Sequence, residues 1–222
     1  MKSSIPRASG LLRAGVLGVI STLSLATLLG QQSAQSAERA FVIPAPIETA
    51  PVAGGIQTTV FAGGCFPVVQ GVFQRVKGVT NAVSGYAGGS AGTARYRDVG
   101  SGSTDHAGAV RIHFDPSVIN YGRLMQIHFS VAHDPTQLNR QGQDRGSQYR
   151  SSIFPADPDP LATTIESGQT FFPAEDHHQD YLTLNPTNRY LVINVLPKVE
   201  NLQRLFPDRY RDELIRVGAS RR

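Results

Sequence analysis

The chain has 222 residues, of which 40% are hydrophobic and 17% charged, and it carries a formal net charge of +4. This composition is too apolar for a wholly disordered chain, and the single cysteine excludes a disulfide scaffold and any multi-cysteine zinc or iron–sulfur site. The arginines are scattered apart from the final pair, Arg221 and Arg222, so no nucleic-acid-binding surface is indicated. The lone thiol is therefore either an inert core residue or the centre of the chemistry.

Residues 1–37 have the pattern of a secretory signal peptide. A basic start containing Lys2, Arg7 and Arg13 precedes an uncharged apolar run over 14–30 and a tail of small residues. The alternative is an uncleaved N-terminal anchor, because the apolar run is only slightly short of a membrane span. We therefore expect an exported protein, periplasmic or in an equivalent compartment outside the cytoplasm, with membrane anchoring if the leader is retained.

The remainder of the chain is long enough for one domain. Residues 38–56 are rich in proline and alanine and predict a linker with polyproline character. The working domain is expected over 57–212, and 213–222 form a basic C-terminal tail.

Strands and helices alternate in the first half of this domain. They are predicted over residues 58–62 (strand), 66–77 (helix), 79–84 (strand), 107–115 (strand) and 121–132 (helix). Pro67 suits the first turn of a helix, and Gly78 suits its C-terminal stop.

The second half begins with a long polar segment without periodicity over 133–147, a kind of loop that is usually functional in a compact domain. After it we predict further short elements over 148–154 (strand), an edge strand beyond 155–160, and helices over 175–184 and 198–205. Long, regular βα units are missing, so the pattern favours an α+β fold, a single-domain α/β sandwich with helices on one sheet.

The position of Cys65 in the sequence bears on the reactivity of its thiol. It follows a predicted strand and the pair Gly63-Gly64, and it immediately precedes a predicted helix. Backbone N–H groups and the positive end of the helix dipole would lower the pKa of a thiol there, and glycines allow close approach of a bound group. The alternative is an inert buried cysteine. The pattern alone goes no further than a candidate thiol nucleophile.

Cys65 also belongs to a series of short motifs that runs through the whole domain. Its members are Gly63-Gly64-Cys65-Phe66, Gly85-Tyr86-Ala87-Gly88-Gly89, Tyr96-Arg97-Asp98-Val99, His106-Ala107, Asp134 to Ser151, Pro173 to Tyr181 and Pro197 to Pro207. In this order, from Thr59 to Tyr210, they resemble the type A peptide-methionine sulfoxide reductases. The number and order of the motifs carry the resemblance, since no single motif is specific.

The resemblance implies roles for five residues. Cys65 would attack the sulfoxide sulfur and become a sulfenic acid. Tyr86 and Tyr149 would hydrogen-bond the sulfoxide oxygen, Asp144 would hold the site through hydroxyl or water contacts, and Phe66 would form a wall for the substrate methyl group. Packing roles for the tyrosines and a turn role for Asp144 are the alternatives.

The resemblance also implies a fold and partners. The core would be the ferredoxin-like split βαβ unit, with a mixed or antiparallel sheet. The substrates would be oxidised proteins or peptides containing methionine S-sulfoxide. No bound cofactor is expected, and the reductant would be an external thiol, thioredoxin-like or a dithiol. The six histidines form no metal-ligand pattern, so no metal site is expected.

The chain departs from the family pattern in four places. Pro67 stands where the family has tryptophan, and Gly108 stands where it has the glutamate regarded as the proton donor to the departing oxygen. The segment 155–170 is shorter than the usual insert, which predicts exposed apolar surface on the sheet or an opened cleft. No second cysteine is present to resolve a sulfenic acid. These departures leave open a catalytically impaired relative that binds oxidised methionine or serves as a redox-sensing thiol.

Overall fold

The computed structural model describes residues 40–46, 54–155 and 168–217. The predicted signal peptide over 1–37 and most of the shortened segment 155–170 lie outside these residues. Within the described ranges, no helix is both long enough and apolar enough to cross a bilayer.

The strands of the described residues have from two to nine residues. They are β1 (Gln57–Ala62), β2 (Val79–Ala87), β3 (Ala107–Phe114), β4 (Arg140–Gln141), β5 (Asp144–Arg145), β6 (Ser152–Pro155) and β7 (Phe171–Pro173).

The helices are α1 (Phe66–Phe73), α2 (Tyr96–Gly100), α3 (Tyr121–Ile127), α4 (Tyr181–Leu184), α5 (Arg189–Asn194) and α6 (Leu196–Leu205). A π-helical turn, His128–Ala132, continues α3. Single 3₁₀ turns occur at Ala91–Thr93, Ser147–Tyr149 and Asp176–His178.

Five strands form one sheet in the order β6-β1-β3-β2-β7, and all the pairs are antiparallel. The unit β1–α1–β2 is split, because β3 lies between its two strands. The fourth strand of this core, β6, lies beside β1. This arrangement is the ferredoxin-like core, so the α+β prediction is confirmed. Strand β7 is the predicted edge strand beside β2.

The main core holds α1 in place along its whole length. All eight residues of α1 are buried, and its apolar side chains join a cluster with residues of the sheet, α3 and α6. Among the largest fully buried members are Phe61, Phe73, Phe114, Ile127 and Leu202. Burying such a side chain contributes roughly 1.5–3 kcal/mol relative to leaving it exposed. The N-terminus of α1, where Cys65 lies, is therefore fixed by core packing.

A second, smaller cluster comes from the other set of alternating side chains in β1, β2, β3 and β6. Its members are Val60, Ala62, Ala87, Ala107, Ala109 and Phe154. All six side chains are buried. The apolar surface that the shortened segment was expected to uncover is thus not exposed at these positions.

Several element boundaries differ from the sequence prediction for identifiable reasons. Helix α1 ends at Phe73 rather than near residue 77, because the chain tightens into i→i+3 turns and Val76 pairs with Tyr210. The strand predicted over 148–154 begins only at Ser152, after a 3₁₀ turn.

The helix predicted over 175–184 is also interrupted. The buried amide of Gln179 bonds the backbone N–H and C=O of Ser84 and the C=O of Ala174. Asp180 then adopts a left-handed conformation with φ of 53°. A continuous helix is incompatible with that backbone, so a 3₁₀ turn and α4 replace it.

Parts of the predicted linker and tail pack on the domain. The backbone N–H of Ile43 donates to Ser130 Oγ at 3.0 Å, and Gln126 Nε2 donates to the carbonyl of Ile43 at 2.7 Å. At the other end, the Ile215 N–H donates to the carbonyl of Gln74 at 3.3 Å. Residues on both sides of the predicted domain boundaries are therefore hydrogen-bonded to the domain.

Candidate active site

Cys65 is the N-cap of α1, and Phe66 and Pro67 are the first residues of the helix. The glycines before it serve packing. Gly64 has a φ of +82°, and a Cβ there would lie 2.6 Å from Gln141 Cγ, while a Cβ on Gly63 would lie 2.5 Å from His133 Cγ. The glycine pair therefore lets the long loop pack against the backbone that carries the thiol.

Three cavities include Cys65 in their lining, and Tyr149 lines two of them. A small one of about 40 Å³ is lined by Cys65, Phe66, Tyr86, Gly108 and Tyr149 among others. This volume has room for a few water molecules or a small apolar group. The structure therefore brings the predicted residues Phe66, Tyr86 and Tyr149 together with the thiol.

The larger cavity, of about 240 Å³, also includes Cys65 and Tyr149 in its lining. It adds Asp144, the fifth predicted site residue, together with Tyr190, which the sequence analysis did not single out. The other four residues implied by the resemblance thus surround Cys65.

The electrostatics of Cys65 contradict the sequence prediction of a lowered pKa. Burial, and secondly the negative charge of Asp144, raise the pKa of the Cys65 thiol from its ordinary 9.0 to about 12, although a hydrogen bond with Tyr190 acts in the lowering direction. A helix N-terminus contributes about 0.3–1 kcal/mol, which is less than a tenfold change in ionisation. Burial therefore outweighs the helix dipole, and the resting group is a thiol.

Asp144 and Tyr190 form a polar pair beside the thiol. Asp144 begins β5, which pairs with β4 inside the long loop. The hydroxyl of Tyr190 donates to Asp144 Oδ2 at 2.5 Å. Burial, followed by Cys65 and the hydrogen bond to Asp144, raises the pKa of Tyr190, so its hydroxyl keeps its proton.

Tyr190 reaches this place because α5 begins just before it. The side chain of Asn188 caps α5 by accepting from the backbone N–H groups of Tyr190 and Leu191 at 3.0 and 3.3 Å. An asparagine before an apolar run is a recognisable helix start, and this signal could have located α5 in the sequence. It would not have shown that Tyr190 faces the cysteine.

At the small cavity, Tyr86 is 1% exposed and its hydroxyl donates to Glu175 Oε2 at 2.8 Å. The second carboxylate oxygen, Oε1, accepts from the backbone N–H of Tyr96 at 2.9 Å. Burial and then Glu175 raise the pKa of Tyr86. Burial acts to raise the pKa of Glu175, but hydrogen bonds, first that from Tyr96, outweigh it and the net pKa is lowered.

Two of the departures from the family pattern, Gly108 and Pro67, line cavities together with the thiol. Gly108 lies directly opposite Tyr86 in the β2–β3 ladder and lines the small cavity, to which it contributes no side chain. Pro67 is buried in the first turn of α1 and lines the larger cavity. Nearby, the rings of Tyr96 and His178 stack with centroids 4.2 Å apart, so aromatic surface is still present at this cavity.

No group of three or more His, Cys, Asp or Glu side chains that could hold a metal ion occurs in the described ranges. The chemistry that these residues can supply is a protonated thiol, neutral phenols and nearby carboxylates.

Comparisons with known proteins agree with the motifs. A family model described as peptide methionine sulfoxide reductase matches residues 57–160 and 156–210. A protein of Mesorhizobium japonicum named peptide methionine sulfoxide reductase MsrA 2 is 53% identical over 185 residues, which is 74% of this chain and 95% of that protein. A protein of the same name from Synechocystis sp. is 40% identical over 192 residues, covering 76% of this chain and 90% of that protein.

Solved structures are similar too. Methionine sulfoxide reductase A of Corynebacterium diphtheriae superimposes with a TM-score of 0.53 at 28% identity, covering 68% of this chain and 89% of that one. Mxr1 from Saccharomyces cerevisiae in its reduced form gives the same TM-score and identity, covering 60% of this chain and 87% of its own.

Proposed function

The chain belongs to the peptide methionine sulfoxide reductase family of oxidoreductases, and from that premise we propose that it reduces methionine S-sulfoxide, protein-bound and also free, through a Cys65 sulfenic acid. The observation that carries the proposal is that Cys65 lines one cavity with two phenols, Tyr86 and Tyr149. A thiol beside neutral hydrogen-bonding groups is what transfer of an oxygen from sulfur to sulfur requires.

In the proposed step, Cys65 Sγ attacks the sulfoxide sulfur and the sulfur–oxygen bond of the substrate breaks. The oxygen becomes bonded to Sγ as S–OH, methionine gains two electrons, and Cys65 loses two. The hydrogen of the thiol and the hydrogen of the new S–OH group balance, so no external proton is consumed.

The proton requires a path because Cys65 starts as a thiol. Its immediate polar neighbours are Tyr190, which is hydrogen-bonded to it, and Asp144, which accepts from Tyr190. We assign this pair the role of receiving the thiol proton as Sγ attacks. The phenols at the small cavity then stabilise the oxygen as it gains a hydrogen.

Regeneration would need an external thiol, since Cys65 is the only cysteine of the chain. A first thiol attacks the sulfenic acid, which releases water and forms a mixed disulfide. A second thiol, or the second group of a dithiol, then frees Cys65. The natural reductant would be thioredoxin-like or another dithiol.

The test is turnover of methionine S-sulfoxide with dithiothreitol, comparing the wild-type chain with Cys65→Ser. We expect turnover by the wild type, no turnover by the variant, and no reduction of the R epimer by either protein. Equal rates in the two proteins would remove the proposal.

The impaired relative is a second candidate, and two observations favour it. Gly108 supplies no proton donor at the small cavity, and the pKa of Cys65 is raised to about 12 by burial and Asp144. A Cβ at position 108 would make only ordinary contacts of 3.5–3.6 Å, so the backbone there admits a side chain, and Gly108→Glu is the variant to test. Activity appearing only in Gly108→Glu would support this candidate, and high wild-type activity would end it.

We further propose that the chain is exported by its leader and cleaved near residue 37, on the basis of the pattern of residues 1–37. The mass of the mature protein, read by mass spectrometry, distinguishes this from a retained membrane anchor.

A further inference from the structure

We infer that Glu175 is a positioning residue that makes Tyr86 a hydrogen-bond acceptor toward the oxygen being transferred. The inference rests on the proposed function and assigns different roles to the two phenols of the small cavity. Glu175 itself acts through Tyr86, which is in contact with the cavity.

The hydroxyl hydrogen of Tyr86 is already used in a hydrogen bond. A tyrosine hydroxyl has a single hydrogen to donate and can accept through its lone pairs. In this structure that hydrogen is given to Glu175 Oε2 at 2.8 Å, a charge-assisted bond to a carboxylate. A sulfoxide oxygen carries no hydrogen and can only accept. Tyr86 would have to give up its bond to Glu175 before it could donate to the substrate.

Tyr149 is in the opposite situation. Its side chain is half-buried and lines both cavities. Its hydroxyl reaches no hydrogen-bond partner within the described residues, and burial followed by the charge of Asp144 raises its pKa to about 12. Tyr149 therefore has a hydrogen available for the sulfoxide oxygen. The sequence expectation that both phenols donate to that oxygen is thus refined.

The role of Tyr86 begins when the oxygen acquires a hydrogen. As Sγ attacks and the sulfur–oxygen bond breaks, the oxygen gains the equivalent of the proton lost by the Cys65 thiol. The new O–H group can then donate to Tyr86, whose own hydrogen stays on its hydroxyl oxygen and points to Glu175. Hydrogen bonds in such a chain polarise one another, so the carboxylate makes Tyr86 a better acceptor. This contact does not exist with bound sulfoxide, so it favours the transition state over the substrate.

A purely structural role for Glu175 must be separated from this one. The other carboxylate oxygen of Glu175 accepts from the backbone N–H of Tyr96, at the start of α2. The ring of Tyr96 packs edge-on against the ring of Phe66, with centroids 6.1 Å apart. Loss of Glu175 could therefore disturb the cavity by releasing α2. The two roles differ in whether they need the hydroxyl of Tyr86.

A double-mutant cycle in single-turnover reactions makes this separation. The reduced chain is mixed with excess N-acetyl-methionine S-sulfoxide without external thiol, and the maximal rate and half-saturating concentration are measured. The proteins are the wild type, Glu175→Gln, Tyr86→Phe and the double variant. The control is Asp176→Asn, which removes an exposed carboxylate from the adjacent position.

We expect Glu175→Gln to lower the maximal rate roughly tenfold to a hundredfold while the half-saturating concentration changes little. The double variant should be no slower than Tyr86→Phe alone, because Glu175 acts through that hydroxyl. Asp176→Asn should keep the wild-type rate.

A wild-type rate in Glu175→Gln overturns the inference. It is also overturned if Glu175→Gln slows the Tyr86→Phe variant as much as it slows the wild type, because the effect would then pass through α2 alone. If Glu175→Gln fails to fold by near-ultraviolet circular dichroism, Glu175→Asp in the same cycle decides between the same outcomes. A wild-type chain that forms no methionine removes the proposed function, and the inference with it. If the wild type is active but the effects of Glu175→Gln and Tyr86→Phe add up in the double variant, the inference fails and the proposed function stands.

Discussion

Cys65 lies between two walls that are built in different ways. The sheet wall consists of Tyr86 and Gly108, which are neighbours in the β2–β3 ladder. The loop wall consists of Asp144, Tyr149 and Tyr190, which come from a two-residue strand, a 3₁₀ turn and α5. Backbone hydrogen bonds hold the first wall, whereas the second depends on contacts such as the 2.5 Å bond between Tyr190 and Asp144.

The sheet wall shapes the small cavity, whereas the loop wall affects the ionisation of the thiol. The sheet wall lines the small cavity, and its phenol is already bonded to Glu175. The loop wall changes the ionisation of the thiol, since Asp144 raises the pKa of Cys65 and Tyr190 lowers it. We therefore expect substitutions in the loop wall to change rates and ionisation, and Gly108→Ala, which adds no proton donor, to change mainly stability and fit.

The largest effect is expected for Tyr149→Phe. The substitution removes the hydroxyl whose hydrogen is available to the sulfoxide oxygen and leaves the ring in place. Removing one such donor typically costs about a hundredfold to a thousandfold in kcat, because charge developing on the oxygen loses a preorganised partner. Steady-state turnover with dithiothreitol measures the loss.

Tyr121→Phe is the matched control. Tyr121 packs against Phe61 with ring centroids 6.0 Å apart and lies on α3. We expect it to keep wild-type turnover. If Tyr149→Phe lost no more activity than Tyr121→Phe, Tyr149 would not be the donor to the sulfoxide oxygen, and the proposed difference between the two walls would be contradicted.

A smaller effect is expected for Asp144→Asn on the ionisation of Cys65. Asp144 is the second cause, after burial, of the raised pKa, so removal of its charge should lower the pKa below about 12 while burial keeps it above that of a free thiol. Below both pKa values, the thiolate fraction and the alkylation rate rise as the pKa falls. We expect alkylation by iodoacetamide at pH 9 to become roughly threefold to tenfold faster.

Glu200→Gln removes an exposed carboxylate from α6 and controls for the change in net charge. Its alkylation rate should match that of the wild type. Unchanged or slower alkylation in Asp144→Asn would contradict the assignment of Asp144 as a source of the raised pKa.

The two walls also differ in how far the sequence predicts them. Period-two alternation over residues 107–115 locates β3 and thereby Gly108, because a half-buried strand imposes that period. Asp144 was found only through a motif, since the loop around it has no periodicity. Tyr190 was missed because α5 has six residues, too few for a helical pattern to stand out.

The pKa of Cys65 is a property that the neighbouring residues in the sequence do not predict. A cysteine at the N-terminus of α1 was correctly placed from the glycine pair and Pro67. The predicted direction of its pKa shift was wrong, because burial and the charge of Asp144, which is distant in sequence, act on the thiol only in the folded chain. Local sequence predicts the dipole but not the desolvation that exceeds it.

The smallest effect is expected for Gly108→Ala in the sheet wall. A Cβ at this position meets the carbonyl oxygens of Gly64 and Gln148 and Phe66 Cδ1 at 3.5–3.6 Å, which are ordinary contacts. Glycine within a strand is less stable than alanine by roughly 0.5–1 kcal/mol, so the free energy of unfolding in urea should stay unchanged or rise by up to that amount. A loss of more than about 1 kcal/mol would mean that the sheet wall is packed too tightly to differ from the loop wall in the way proposed.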